Sequence, residues 1–206
     1  LYGNVKMTWP KVLVFAIIAG VYTGLVMTVP ALFETSFQDI GIGFEWWVIF
    51  AVIIVVNCEK SWDAMLKCFV FFLVSQPLVF AVEVLAGTLS FELGQYYYLH
   101  MWFPVTLLTL PGGFIAYFCK KQNVLGAMIL GIGNTMQALM GASYLVSAYR
   151  SFPHHLLSAV VCFASIIVMT LCIQKEKKNR TTAFMLPIML TVVVIIALGA
   201  SNRVLV

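Results

Sequence analysis

Seven long apolar segments with few or no charged residues dominate the sequence and limit the folds that it can adopt. A helix needs about 20 largely apolar residues to cross the ~30 Å hydrocarbon core of a bilayer. The segments are 12–30, 46–58, 64–85, 102–119, 124–146, 156–173 and 184–200. We expect the second, the shortest, to begin near Ile42, so that Glu45 lies at the membrane interface. The sequence therefore predicts an all-α, polytopic integral membrane protein with about seven transmembrane helices, or six if one segment is re-entrant.

Charge content supports the same fold class. The 206-residue chain has 12 Lys and Arg residues and 8 Asp and Glu residues, and 62% of it is hydrophobic. Charged residues are therefore 10% of the chain, compared with roughly 25% in an average soluble domain. This deficit excludes a soluble enzyme, a disordered tail and a disulfide-stabilised secreted module. Because no linker longer than ~15 residues separates the segments, residues 1–206 are predicted to form a single transmembrane helical-bundle domain.

The distribution of basic residues predicts the orientation of the chain. Arg150 and Arg203 fall in one set of connections, and the other ten of the 12 basic residues fall in the opposite set. Because short cytoplasmic connections are enriched in Lys and Arg, the amino terminus is predicted inside and the carboxyl terminus outside. The formal net charge of +4 then reflects membrane topology, and no nucleic-acid partner is expected. The ten inside residues are Lys6, Lys11, Lys60, Lys67, Lys120, Lys121, Lys175, Lys177, Lys178 and Arg180.

The predicted spans have a weak internal organisation. The first segment is longer than the apolar core of a signal peptide, so we expect it to be retained as a span. A grouping of three, one and three spans would resemble, in topology only, the sugar carriers built from two three-helix bundles. The chain has no supporting sequence repeat, and it reads Gln76-Pro77 in place of the Pro-Gln signature of those carriers.

The fifth segment carries the most informative polar pattern. Asn134, Gln137, Gly141 and Tyr144 follow a helical spacing that places them on one face of a helix. Two carboxamides one turn apart offer four N–H donors and two acceptor oxygens. Polar groups in hydrocarbon are costly unless they are paired, so this face marks either hydrogen bonds between helices or a cavity for a ligand or water. Under the second interpretation Asn134, Gln137 and Tyr144 are candidate ligand-binding residues.

Proline and glycine residues mark a second polar region at a similar predicted depth. Gln76 precedes Pro77 in the third segment, and Thr109 precedes the run L-P-G-G over 110–113 in the fourth. Proline removes a backbone N–H and adjacent glycines permit non-helical angles, so the fourth segment is a candidate for a broken helix and the third for a break or, more simply, a kink at Pro77. Such breaks resemble the unwound midplane segments at which transporters bind substrates, and a proline kink without a function is the alternative. The candidate ligand-binding residues here are Gln76, Thr109, Gly112 and Gly113.

Aromatic residues and all three histidines lie at the predicted outer ends of the helices. Tyrosine and tryptophan at this depth are typical of a membrane-interface belt, and the alternative is a vestibule that stacks an organic ligand or cation. Histidines on two helices, with a carboxylate nearby, are also compatible with a haem or metal site. The candidate rim residues are Glu83, Tyr97, His100, Trp102, His154 and His155.

Known catalytic and cofactor-binding motifs are absent from the sequence. It contains no G-x-S-x-G, H-E-x-x-H, P-loop or G-x-G-x-x-G pattern, and its seventh segment has no lysine for a retinal Schiff base. The five cysteines are odd in number and include no C-x-x-C pair, so neither disulfides nor thiol redox chemistry is expected. We therefore predict no catalytic residue, no metal and no cofactor, and we favour a non-enzymatic function.

These observations give one leading hypothesis and two alternatives. Because no charged residue is predicted near mid-depth, the polar layer would suit a neutral or weakly charged organic solute. We predict a small transporter or a substrate-binding membrane subunit. The alternatives are a non-catalytic assembly or regulatory subunit of a larger complex, and a membrane enzyme or haem or metal protein that uses the rim histidines and glutamate. Expected partners are the lipid bilayer, the solute, and other membrane subunits or further copies of the chain, in a bacterial inner (plasma) membrane.

Overall fold

The computed structural model describes residues 5–33 and 35–204, with side chains described for 5–33, 35–41 and 43–194. Within these ranges every regular element is helical, which confirms the predicted all-α class. The α-helices are α1 (Trp9–Thr28), α2 (Ser36–Ile42), α3 (Phe44–Val56), α4 (Ser61–Leu85), α5 (Phe91–Tyr97), α6 (Phe103–Ala116), α7 (Val124–Arg150), α8 (Leu156–Ile173) and α9 (Lys177–Val204). Short 3-10 turns occupy Pro30–Leu32 and Tyr117–Lys120, and a π-helical turn occupies Tyr98–Trp102.

Five of the described helical stretches are long and apolar enough to cross a membrane, which supports a multi-pass membrane protein. They are Trp9–Thr28, Ser61–Leu85, Phe91–Lys120, Val124–Arg150 and Leu156–Ile173. The other two predicted segments correspond to α3, which has 13 residues, and to α9, whose side chains are described only as far as residue 194. At 1.5 Å per residue α3 extends about 20 Å, and α2 precedes it across Gly43.

The helices form two packed groups, and the contacts between the groups are less extensive than the contacts within each group. In the first group α4 packs on α1, α3 and α6, and in the second α7 packs on α8 and α9. The contact of α1 with α4 is close, because a Cβ added at Gly20 would lie 2.5 Å from the Ser75 carbonyl oxygen, and small residues allow membrane helices to approach. Helices α2 and α3 of the first group contact α8 of the second, and α6 contacts α7. A side chain on α3 that faces α8 therefore lies between the two groups.

The connections between helices gather at two ends of the bundle. At the first, which we name the Lys120 end, Lys120 Nζ donates to the Cys58 carbonyl and so ties the α6–α7 connection to the α3–α4 connection. Gln122 Nε2 donates to the Ile173 carbonyl at 2.8 Å, so the last residue of α8 is bonded to the same α6–α7 connection. The ten basic residues that the sequence assigns to one side belong to the connections and helix starts at this end. The opposite end, named the His155 end, holds α2 and the α7–α8 connection, and the Arg203 side chain lies outside the described residues.

The broken backbone predicted over 109–113 is wrong, and Pro77 does not break its helix either. Helix α4 continues through Pro77, and α6 continues through Pro111. A break would leave unpaired backbone groups in hydrocarbon, so an intact helix is favoured there. Gly113 instead permits close packing, because a Cβ at this position would lie 3.1 Å from the Cβ of Cys68 on α4. Gly112 has no such neighbour, since a Cβ there would meet nothing within 4 Å.

Candidate functional site

The polar face predicted on α7 is confirmed as a buried helix face. Asn134 and Gln137 are both 0% exposed. One turn further along, Gly141 lies against α8, where an added Cβ would be 3.1 Å from the Cβ of Cys162. Tyr144, the last member of the face, is half-buried. The helical period of the sequence thus turns all four residues toward other helices and away from the surface.

Asn134 uses its amide group to join three helices. Its Nδ2 donates to the Thr170 hydroxyl of α8 at 2.8 Å and to the Ala183 carbonyl of α9 at 3.3 Å. Hydrogen bonds between membrane helices contribute roughly 0.6–2 kcal/mol each. Asn134 therefore fits the interpretation of a polar residue that holds helices together, although its Oδ1 has no hydrogen-bond partner.

Gln137 differs from Asn134 although the two lie one turn apart. Among the described residues, neither its Nε2 nor its Oε1 has a hydrogen-bond partner. A buried carboxamide can use two donors and two acceptor lone pairs, and burying such a group without partners costs about 1–3 kcal/mol in proteins. Helix-to-helix bonding does not account for a glutamine here, so Gln137 fits the interpretation of a ligand-facing residue.

Glu45 is a candidate site residue that the sequence interpretation missed. We expected it at the depth of the membrane interface and did not expect it to be enclosed by other helices, and the structure shows that it is buried, at 0% exposure. Its carboxylate folds back over Gly43 at the amino end of α3, where the free backbone N–H groups of a helix favour negative charge. In the part of the chain that the structure describes, neither carboxylate oxygen has a hydrogen-bond partner. The signal that could have found it is a carboxylate at the start of the shortest apolar segment.

Residues of the second helix group surround the Glu45 carboxylate. The hydroxyls of Tyr144 and Ser158 face it closely enough to interact, without a hydrogen bond of standard geometry. The Cys162 thiol and the His155 ring also lie within electrostatic reach. Glu45 comes from α3, and the groups around it come from α7 and α8 or the connection between them. The site therefore lies at the boundary of the two groups.

Asp39 of α2 positions the histidine pair beside this site. The backbone N–H of His155 donates to an Asp39 carboxylate oxygen at 2.8 Å. The Nδ1 atoms of His154 and His155 lie 3.9 and 3.5 Å from the same carboxylate. The His155 ring stacks on Tyr144, with 5.5 Å between ring centroids and 16° between planes. Three predicted residues, Tyr144, His154 and His155, are thus brought together around two carboxylates that were not among the predicted site residues.

The predicted residues of the third and fourth segments lie in the first helix group. Gln76 is 2% exposed and its Nε2 has no hydrogen-bond partner. Thr109 donates its hydroxyl to the Thr106 carbonyl at 2.6 Å, within its own helix. Gly112 is exposed and Gly113 packs on α4. No hydrogen bond between the described side chains joins these four residues to Gln137, and a common membrane depth for the two regions stays a prediction.

The other rim residues are spread over the His155 end. His100 stacks on Tyr96 at 4.4 Å between centroids and its Nδ1 lies 3.0 Å from the Tyr96 carbonyl oxygen. Trp102 stacks on Phe44, the residue before Glu45, at 6.1 Å. Tyr97 is exposed and Glu83 is half-buried on α4. Among the described residues no contact joins His100 to the His154–His155 pair, and no three His, Cys, Asp or Glu side chains are grouped so that they could hold a metal ion.

Cavities elsewhere on the described part of the chain are separate from this site. An apolar cavity of about 580 Å³ lies between α4 and α5 and the turn after it, with Phe80 and Tyr98 in its wall. A second apolar cavity, of about 370 Å³, lies between α7, α8 and α9. A third, polar and about 360 Å³, opens at the Lys120 end between Lys6 and Lys120. These three are lined neither by Gln137 nor by Glu45.

Comparisons with protein-family models, with curated proteins and with solved structures gave no match.

Proposed function

We propose that this protein is a small multi-pass membrane transporter, or a substrate-binding membrane subunit, for a neutral or weakly charged organic solute. The buried carboxamide of Gln137, with neither of its polar atoms hydrogen-bonded, carries the proposal. Buried polar groups in proteins are almost always bonded, and each exception asks for an explanation such as a ligand, an ion or a water molecule. A solute with its own donors and acceptors would provide the partners that the neighbouring helices do not.

The position of Gln137 in the fold supports this proposal. It lies on the α7 face that runs from Asn134 to Tyr144, and this face leads to the boundary where α3 meets α8. Transporters commonly bind their substrates between two helix groups that rock against one another. Here the contacts within each group are extensive and those between the groups are fewer. A solute bound along this face would therefore lie next to the boundary at which the groups can move.

The proposal includes a topology of seven spans with the amino terminus inside. The short α3 and the long α9 would add two spans to the five that meet length and composition criteria. The basic connections at the Lys120 end would face the cytoplasm, and the His155 end would face outward. A location in the bacterial inner (plasma) membrane is part of the same proposal.

A thermal-stability screen of the purified protein tests the solute site. Polyols, amides, amino acids and nucleosides are offered in detergent solution, and a ligand at 100 times its Kd should stabilise the fold by about 2.7 kcal/mol. Gln137→Leu should lose the stabilisation that the wild type shows with its solute. Met136→Leu is the matched control, because Met136 is the neighbouring residue and is 62% exposed. A solute that stabilises Gln137→Leu as strongly as wild type would place the binding site elsewhere.

A second candidate function is an assembly or regulatory subunit whose polar residues only hold its helices together. The bonds from Asn134 to Thr170 and Ala183 favour it. This alternative predicts that Gln137→Leu is neutral or stabilising, because leucine removes a buried polar group that has no partner. It also predicts that no solute in the screen discriminates between Gln137→Leu and Met136→Leu.

A further inference from the structure

We propose that Glu45 is a proton-binding group, and that its protonation couples solute movement to a proton gradient across the membrane. The coupling rests on the proposed transport function. The proton site itself stands on the burial of the carboxylate and on the groups arranged around it.

The Glu45 carboxylate is placed where a permanent negative charge is unfavourable. It is 0% exposed, and neither of its oxygens is hydrogen-bonded. The ion pairs among the described residues use Asp39, Glu59 and Asp63, and none uses Glu45. A buried carboxylate without a cation is costly, and binding a proton removes its charge. The protonated form is therefore favoured while the two helix groups enclose the site.

The deprotonated form has its own stabilising feature, so the proton can leave. Glu45 lies in the first turn of α3, and the amino end of a helix carries a partial positive charge that favours an anion. When water or a solute reaches the boundary between the groups, the carboxylate gains further polar partners. Glu45 can thus exchange between both states, which a coupling group requires.

A row of exchangeable groups connects Glu45 to the surface of the His155 end. The Tyr144 and Ser158 hydroxyls face the carboxylate, and the His155 ring stacks on Tyr144. The His155 side chain is 38% exposed. Imidazole can accept a proton on one nitrogen and release one from the other. Because His155 also lies within electrostatic reach of Glu45, a proton from water would pass from the imidazole to the carboxylate by way of a hydroxyl or a water molecule that enters the site. The imidazole would finish in the protonation state in which it began.

The titratable groups that face Glu45 come from several helices. Three of them interact electrostatically with the Glu45 carboxylate. They are Tyr144 of α7, His155 just before α8, and Cys162 within α8. Asp39 of α2 is connected to Glu45 through His155, whose backbone N–H donates to the Asp39 carboxylate. From α1, Tyr22 reaches Trp46, the residue after Glu45 on α3, at 5.3 Å between ring centroids.

The position of Glu45 explains how its charge could affect movement. Its backbone belongs to the first helix group, whereas Tyr144, Ser158 and His155 belong to the second. A neutral carboxyl allows these surfaces to close, and an anion favours their separation and the entry of water. Protonation from the His155 end would then accompany closure of that end. Coupling to a proton gradient requires that the proton then leave Glu45 toward the Lys120 end, when the groups open to that side and release the solute.

Infrared spectroscopy of the purified protein tests the proton site without knowledge of the solute. During a titration from alkaline to acid pH, the wild type should gain a carboxyl C=O band at the high frequency of a buried group. Glu45→Gln should lose this band, equivalent to one proton per chain. Glu92→Gln should keep it, because Glu92 is exposed on α5. Identical spectra for wild type and Glu45→Gln would overturn the proposal.

Three further variants keep the proposal testable if Glu45→Gln does not fold. Tyr144→Phe and Ser158→Ala leave the carboxyl in place and remove one hydroxyl each, so both should shift the frequency of the buried carboxyl band. His155→Asn keeps the backbone N–H that bonds Asp39 and should slow proton uptake after a pH jump without changing the number of protons bound. A band that neither hydroxyl variant shifts would overturn the assignment to Glu45.

Uptake into proteoliposomes tests the coupling. The solute found in the thermal screen is supplied with and without a pH gradient, and the wild type should accumulate it only with the gradient. Glu45→Gln should equilibrate the solute without accumulating it. Accumulation that ignores the gradient in both proteins would overturn the coupling and leave transport intact. Failure of the wild type to take up solute in either condition would contradict transport by this chain and with it the coupling, while the infrared result would still decide the proton site.

Discussion

The backbone N–H of His155 donates to the Asp39 carboxylate at 2.8 Å, across 116 positions of sequence. The bond joins the start of α8 to α2 and therefore connects the two helix groups at one end of the bundle. His155 has a φ of 61°, in the left-handed region that residues other than glycine rarely adopt. Asp39 compensates for this conformation and holds the His155 ring where it stacks on Tyr144. The geometry beside Glu45 thus depends on a residue in a different helix.

Asp39→Ala should destabilise the protein. A hydrogen bond to a charged group contributes about 1.5–3 kcal/mol, and the Asp39 side chain is only 11% exposed. The free energy of unfolding, measured in mixed micelles, should fall by an amount in that range. Glu92→Ala, at an exposed carboxylate, is the control and should change it by less than about 0.5 kcal/mol. Equal losses in the two variants would contradict the role given to Asp39.

Asn134 and Thr170 should show a direct energetic coupling. A double-mutant cycle with Asn134→Leu and Thr170→Val isolates the 2.8 Å bond between their side chains. The expected coupling is about 0.6–2 kcal/mol, because the bond joins α7 to α8 in the interior. Additive effects of the two substitutions on the free energy of unfolding would show that Asn134 does not hold these helices together.

Two glycines should respond in opposite ways to the same substitution. Gly20→Ala would place a Cβ 2.5 Å from the Ser75 carbonyl oxygen, so α1 and α4 must separate, at a cost of about 1–3 kcal/mol for overpacking. Gly133→Ala would meet nothing within 4 Å and should be neutral or stabilising by up to about 1 kcal/mol, since alanine favours helix. Melting temperatures of the two variants check this. A stable Gly20→Ala would mean that the α1–α4 contact is looser than described.

The sequence was sufficient to predict the helical class and the buried face of α7, because both depend on local periodicity. Asn134, Gln137 and Tyr144 recur at the helical repeat, so a single helix turns them together toward its neighbours. The same pattern could not distinguish Asn134 from Gln137. That difference depends on Thr170 and Ala183, which other helices bring to Asn134 and not to Gln137.

The features that sequence reasoning missed arise from tertiary contacts. The position of Glu45 at the start of the shortest apolar segment marks it as unusual, but its burial depends on α7 and α8, which are distant in sequence. Pro111 and the glycines after it suggested a broken helix, since both residue types disfavour helices locally. In the structure the helix is intact, and Gly113 instead allows α6 to pack closely against Cys68 of α4.

Cysteine labelling should establish the orientation proposed from the basic residues. Tyr149 is 92% exposed near the His155 end and Trp62 is 65% exposed near the Lys120 end, so a single cysteine at either position is accessible. In a background with the exposed Cys172 replaced by serine, a membrane-impermeant maleimide should label Tyr149→Cys in intact cells. It should label Trp62→Cys only after lysis. The reverse pattern would invert the topology and place the His155 end in the cytoplasm.

The structure of the protein with its bound solute tests the account most directly. A solute identified by thermal stabilisation should lie with a polar atom about 3 Å from Gln137 Nε2 or Oε1, the distance of an ordinary hydrogen bond, between α7 and the α3–α8 boundary. A solute held in the apolar cavity beside Phe80 and Tyr98, with the Gln137 amide unchanged and unpartnered, would contradict the proposed site.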